Sequence, residues 1–189
     1  MAQSERPPAP WVPRRPTRRR GSVGKKRGWI LSPEVRRAVR ALLVTPAQEL
    51  LLMRFHFPWR SEAMWIVPGG EARRGENPEE TLGRELREET GLPALGRVSE
   101  VWRRTHLLEV RGREILQIER YFVVATHRFE PEAAQLEHRG ERDWFRGFRW
   151  WPIAELPDCS PDFAPTRLGE RMRELLRCGV PARPRAIEV

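Results

Sequence analysis

Two apolar stretches, Ala38–Val44 and Glu49–Phe55, are separated by the polar break Thr45–Pro46–Ala47–Gln48, a pattern that predicts a hairpin. Met64–Val67 is a shorter apolar run, stopped by Pro68–Gly69–Gly70. Asn77–Pro78 then opens a helix: Asn is a strong N-cap, proline suits the first helical position, and Glu80 completes a capping box. Gly91 closes that helix as its C-cap. Arg97–Val110 and Arg113–Thr126 read as long strands around Arg111–Gly112, so a second hairpin is expected. Phe145–Trp151 reads as a further strand, Ile153–Leu156 as a short helical turn, and Pro165–Cys178 as an amphipathic helix carrying Leu168, Met172, Leu175 and Leu176. Strands on both sides of one central helix, joined by hairpins rather than regular βαβ repeats, predict an α/β sandwich with a mixed sheet.

The first 29 residues break this pattern. They hold Pro7, Pro8, Pro10, Pro13 and Pro16, with nine basic side chains against the single acid Glu5. Such a stretch buries too little apolar surface to offset its chain entropy, so 1–29 is expected to be a disordered basic tail and 30–189 the folded domain. The tail accounts for +8 of the net charge of +9, leaving 26 basic against 25 acidic residues in the other 160. A nucleic-acid partner is therefore expected through the tail only, if the tail is more than a solvated extension or a start placed too far upstream. The chain has no apolar run near the roughly 20 residues that span a bilayer, nor a signal-type segment, so no membrane partner is expected. Two well-separated cysteines, Cys159 and Cys178, form no metal-ligand pattern and suit a cytoplasmic location. A homodimer is compatible with this composition.

The chemistry concentrates between Gly70 and Leu92, GEARRGENPEETLGRELREETGL. Glu85, Glu88 and Glu89 fall at i, i+3 and i+4 and share an arc of roughly 100° on the predicted helix. Like charges at that spacing repel, and two of them sit in the last turn, where the helix dipole favours cations. A sequence that breaks two local rules in one place usually serves function. The missing partner is a cation, and an all-oxygen donor set selects a hard one, magnesium or manganese. Leu82 and Leu86 point about a quarter turn away and can anchor the helix to a sheet, while Arg84 can tether a carboxylate bidentately, with Glu76 as the candidate. Gly70, in permissive backbone beside the helix, can offer a carbonyl to the metal.

The spacing of Gly70, Glu76 and Arg84–Glu85–Leu86–Arg87–Glu88–Glu89–Thr90–Gly91–Leu92 resembles the signature box of the Nudix (MutT-like) hydrolases at every fixed position. The Trp65–Gly70 lead-in and the late Arg149–Trp150–Trp151 resemble bacterial members as well. The resemblance implies a Nudix-type sandwich and a pyrophosphohydrolase that uses Mg2+ or Mn2+ to cut the phosphoanhydride of a nucleoside diphosphate linked to another group. It further implies Glu85, Glu88, Glu89 and the Gly70 carbonyl as metal ligands, and Arg84 as the residue that orients the acids. Family members differ in their general base, which here falls to Glu85 or to a downstream acid, Glu141 before Glu137, with His138 a weaker candidate.

The implied substrate is of ADP-ribose or nucleoside-triphosphate type. Where some family members carry a diagnostic proline or tyrosine, this chain has Arg104–Thr105–His106–Leu107–Leu108, and His56–Arg60 lacks a coenzyme A signature. Trp65 and Trp102 are candidate stackers on the substrate, and Arg54, Arg60, Arg103 and Arg104 candidate phosphate contacts. Adjacent strand residues Trp150 and Trp151 must point to opposite faces, so at most one is expected in the core. The rival reading is a nucleotide-sensing or RNA-processing Nudix protein that binds nucleic acid through the basic tail.

Overall fold

A computed structural model describes residues 33–110, 113–133, 136 and 142–188. The tail 1–29, the turn Arg111–Gly112, and the candidates Glu137, His138 and Glu141 lie outside the described residues. In chain order the elements are β1 (Glu34–Val44), β2 (Glu49–Phe55), β3 (Met64–Ile66), α1 (Pro78–Thr90), β4 (Val98–Val110), β5 (Arg113–Ala125), β6 (Phe145–Pro152), a 3-10 turn at Ile153–Glu155, β7 (Phe163–Ala164), α2 (Leu168–Cys178) and β8 (Arg185–Ala186). The strands form one mixed sheet in the order β7-β3-β2-β1-β5-β4-β8, with β6 pairing β2. No helix among the described residues is long and apolar enough to cross a membrane.

Both faces of the sheet are covered. The odd positions Val39, Ala41 and Leu43 of β1 pack with Leu82 and Leu86 of α1, while Leu42, Leu50, Leu52 and Tyr121 pack with Leu168, Met172 and Leu175 of α2. This is the sandwich expected from the pattern, with α1 anchored by its two leucines. Because each face has a helix, both late tryptophans find apolar company. Trp150 is buried on the α1 side and donates its indole N–H to Phe129 O (3.0 Å), and Trp151 packs partly buried on the α2 side. Only Trp150 is a buried core residue, as expected for neighbours that point to opposite faces.

The β1–β2 hairpin forms, but its strands meet in register only at Val44–Leu50. Beyond that point the segment after β3 takes the edge of β1: Ala41 N–H donates to Pro68 O (2.7 Å), Val39 N–H to Gly70 O (3.0 Å), and Ala72 N–H to Arg37 O (2.8 Å). A Cβ on Gly69, whose φ is +135°, would come within 2.2 Å of Val39 O, so only glycine allows this approach. The result is a slot that holds residues 68–72 beside β1 and aims the start of the following loop at α1.

Candidate active site

The N-terminus of α1 is built as its sequence predicts. Asn77 Oδ1 accepts from the Glu79 and Glu80 amides, Glu80 accepts from Asn77 N–H, and Gly91 ends the helix at φ 72°. This rigid helix places Glu85 and Glu89 in the interior, 0% and 4% exposed, with Glu88 at its margin.

Arg84 organises the acids. Its Nε and Nη2 form a bidentate pair with Glu76 (2.6 and 2.8 Å), and Nη1 donates to Glu85 (2.7 Å) and Glu88 (3.2 Å). Arg73 also donates to Glu88 (3.1 Å), and Gly69 N–H donates to Glu89 (2.6 Å). Glu76 is a strong structural acceptor: the Arg84 hydrogen bond holds its carboxyl down at about 2, with the Arg73 amide adding to the effect against burial. Repulsion among three carboxylates is thus offset by guanidinium and amide donors, with Arg84 shared between Glu85 and Glu88. Among the described residues no three His, Cys, Asp or Glu side chains converge on one point.

The donor chemistry fits a hard divalent cation, because Glu85, Glu88, Glu89 and the Gly70 carbonyl offer oxygen only. Gly70 O accepts one bond, from Val39 N–H, and a carbonyl has two lone pairs. A Cβ built on Gly70 would lie 2.6 Å from the carboxylate atoms of Glu85, so the glycine leaves the space in which that carboxylate sits. A side chain there would displace the acid.

Glu85, Glu89, Gly69 and Gly70 line one side of a cleft of about 540 Å³. Its floor comes from alternate residues of three strands: Arg36, Ala38 and Arg40 of β1, Gln117, Glu119 and Tyr121 of β5, and Arg104, His106 and Leu108 of β4. Register explains the grouping, since Glu119 pairs with both Ala38 and Arg104, and Gln117 with both Arg36 and His106. Glu119 is the hub. It accepts from Arg40 Nε (2.8 Å), Tyr121 OH (2.9 Å) and Arg104 Nη1 (3.4 Å), while Arg40 Nη1 reaches Gly69 O (2.9 Å) and so ties floor to loop. Burial opposes ionisation of Glu119, but the charges of Arg40 and Arg104 hold it below the usual carboxylate range. Burial, with help from Arg104, pushes His106 down to about 4, so its ring is neutral at neutral pH. Met53, Phe55, Phe57, Met64, Ile66 and Trp144 form an apolar wall.

Of the four arginines singled out as candidate phosphate contacts, Arg104 lines the cleft and the others do not. Arg54 is exposed and lies over the Trp65 ring at 5.6 Å, Arg60 pairs with Asp162 (3.1 Å), and Arg103 is exposed and bound to Glu100 (2.7 Å). Trp65 stands edge-on to Trp151, and Trp102 is buried against Tyr121, both outside the cleft lining. Sequence reasoning passed over Arg40, His106, Gln117, Glu119 and Tyr121. A signal was present: Arg40 sits inside the apolar stretch Ala38–Val44, and Glu119 lies between Ile118 and Tyr121 in a strand whose two faces are both expected to be covered.

A NUDIX domain family model matches residues 34–177. No curated protein matches the sequence. Among solved structures, a MutT NUDIX hydrolase from Burkholderia pseudomallei shares 24% identity at a TM-score of 0.56, covering 74% of this chain and 98% of its own. The NUDIX domain of Shewanella oneidensis NrtR, complexed with ADP ribose, shares 20% at 0.55, covering 77% and 89%. A MutT protein from Bacillus halodurans shares 20% at 0.51, covering 81% and 86%.

Proposed function

Since the chain belongs to the Nudix family of pyrophosphohydrolases, we propose that it hydrolyses the phosphoanhydride of a nucleoside diphosphate linked to another group, with Mg2+ or Mn2+. The observation that carries this reading is the cleft itself, where two buried acids of α1 and the Gly69–Gly70 backbone face an arginine-bearing floor. Glu85, Glu88, Glu89 and Gly70 O would hold the cation. When bound, it supplies Lewis acidity and charge neutralisation at the phosphoryl oxygens. Arg84 keeps Glu85 and Glu88 oriented from a side chain itself anchored by Glu76. Water attacks one phosphorus, its P–O bond forms as the bridging P–O bond breaks, and the proton of the water passes to a carboxylate. We assign that base role to Glu141, and to Glu85 if Glu141→Gln leaves kcat unchanged.

Both ADP-ribose and nucleoside triphosphates suit the cleft, and the similarity to a domain complexed with ADP ribose supports including the former. The test is cleavage of a panel of nucleoside diphosphate derivatives by the full chain, read by chromatography of the phosphomonoester and pyrophosphate products. Turnover is expected with Mg2+ or Mn2+ and lost with chelator; full activity in excess EDTA would overturn the reading. On the same reading the domain is 30–189. Deleting residues 1–29 should leave kcat nearly unchanged, and a large loss would show that the tail shapes the site.

A further inference from the structure

The sheet floor carries polar groups that the hydrolytic step does not use. Arg104 and His106 are 6% and 7% exposed, and both line the cleft. Arg104 Nε and His106 Nδ1 have no hydrogen-bond partner among the described residues. Native proteins rarely leave buried polar atoms unpaired, and exceptions concentrate at functional sites. His106 Nδ1 lies 4.0 Å from Glu119 Oε2, about an ångström beyond hydrogen-bond distance. Glu119 is ionised and acceptor-only, so it favours the tautomer with the proton on Nδ1. The ring's Nε2 then keeps its lone pair and is an acceptor available to the cleft. Arg104 and Gln117 add donors beside it, and Phe55, Phe57 and Trp144 offer aromatic surface across the same space.

We propose that this floor reads the polar edge of an amino-bearing nucleobase, with His106 Nε2 accepting from the exocyclic amine. The proposal rests on the hydrolase reading for its substrate class and names the base that class would carry. A neutral ring is required, since a protonated imidazole has no acceptor, and burial keeps His106 neutral. An oxo group in place of the amine puts two acceptors face to face, which the site rejects.

The test uses the full chain in excess EDTA, titrated with nucleoside monophosphates by calorimetry. Amino and oxo bases are compared as AMP against IMP and CMP against UMP. The amino member of a pair is expected to bind at least about tenfold tighter, the worth of one well-made hydrogen bond. His106→Phe should abolish the preference, and His106→Gln, which restores an acceptor, should recover part of it. Equal binding of AMP and IMP and of CMP and UMP by the wild-type chain overturns the proposal, as does a preference that survives His106→Phe. Because no metal and no turnover enter this measurement, an intact preference with no hydrolysis of any substrate would count against the hydrolase reading alone.

Discussion

The two charged sides of the cleft solve the same problem in opposite ways. On the helix side, three carboxylates crowd within five residues of one element, and Arg84, Arg73 and the Gly69 amide hold them apart. On the sheet side, one carboxylate, Glu119, is shared by Arg40, Arg104 and Tyr121, which come from three different strands. The helix side has an excess of negative charge that a cation completes. The floor sets two guanidiniums against one carboxylate and leaves Arg104 Nε and His106 Nδ1 without hydrogen-bond partners beside an uncharged imidazole, so it suits recognition by hydrogen bonding. On the proposed reading, catalysis and recognition divide along the seam where Arg40 bonds Gly69 O.

The sharpest way to break this division is to remove charge from the helix side alone. Glu89→Gln and Glu88→Gln keep shape and hydrogen bonding but lose a ligand charge. Each is expected to cut kcat by at least ~100-fold, since a positioned cation stabilises the transition state by several kcal/mol. Binding of a nucleoside monophosphate without metal should hardly change. Near-wild-type turnover in both variants would dismiss the metal-site assignment. Gly70→Ala comes next. Its Cβ would meet the Glu85 carboxylate at 2.6 Å, and the displaced acid should cost roughly 10- to 100-fold in kcat.

Arg84→Gln acts on stability as much as on rate. It strands Glu76 and loosens Glu85 and Glu88, and removing one partner of a largely buried pair costs on the order of 3 kcal/mol. A clear fall in Tm together with lost turnover is expected. An unchanged Tm would mean the guanidinium is not what holds these acids. Glu88→Gln, by contrast, should not raise stability, because Arg84 and Arg73 already offset the repulsion at that acid.

These two sides also differ in how far they can be read from sequence. Glu85, Glu88, Glu89, Arg84 and Glu76 lie within 14 residues, so helical period and capping chemistry suffice to place the three helix acids on one face with Arg84 and Glu76 close by. The hairpins, α1 and α2 were legible for the same reason. The floor joins residues as far apart in sequence as Arg40 and Glu119, 79 positions, through a parallel β1–β5 pairing that no local pattern encodes. Arg103 and Arg104 are neighbours in sequence, yet strand alternation sends one to solvent and the other into the cleft, a choice decided by register. Strands β7 and β8, two residues each, are too short to show a period. The wide opening of the β1–β2 hairpin follows from residues 68–72 competing for the same edge.

The smallest expected effect tests the floor through pH. His106 is held at about 4 in the folded protein, first by burial and then by Arg104, with Glu119 pulling the other way and Arg40 adding a smaller push down, against 6.5 when exposed. Between these values the unfolded chain binds more protons than the folded one, so stability falls as pH is lowered through this window and is fully present above 6.5. One such group gives a slope of at most about 1.4 kcal/mol per pH unit. The depressed carboxylates Glu76 and Glu100, at about 2 each, act in a separate window below 4.5. Glu100 reaches that value because Arg120 and Arg103 outweigh the opposing effect of burial. Denaturant titrations between pH 7 and 4.5 should therefore show a stability loss that His106→Gln flattens. If the substitution leaves the slope unchanged, His106 is not held neutral by the floor, and the division between a charged catalytic side and a neutral reading side loses its physical basis.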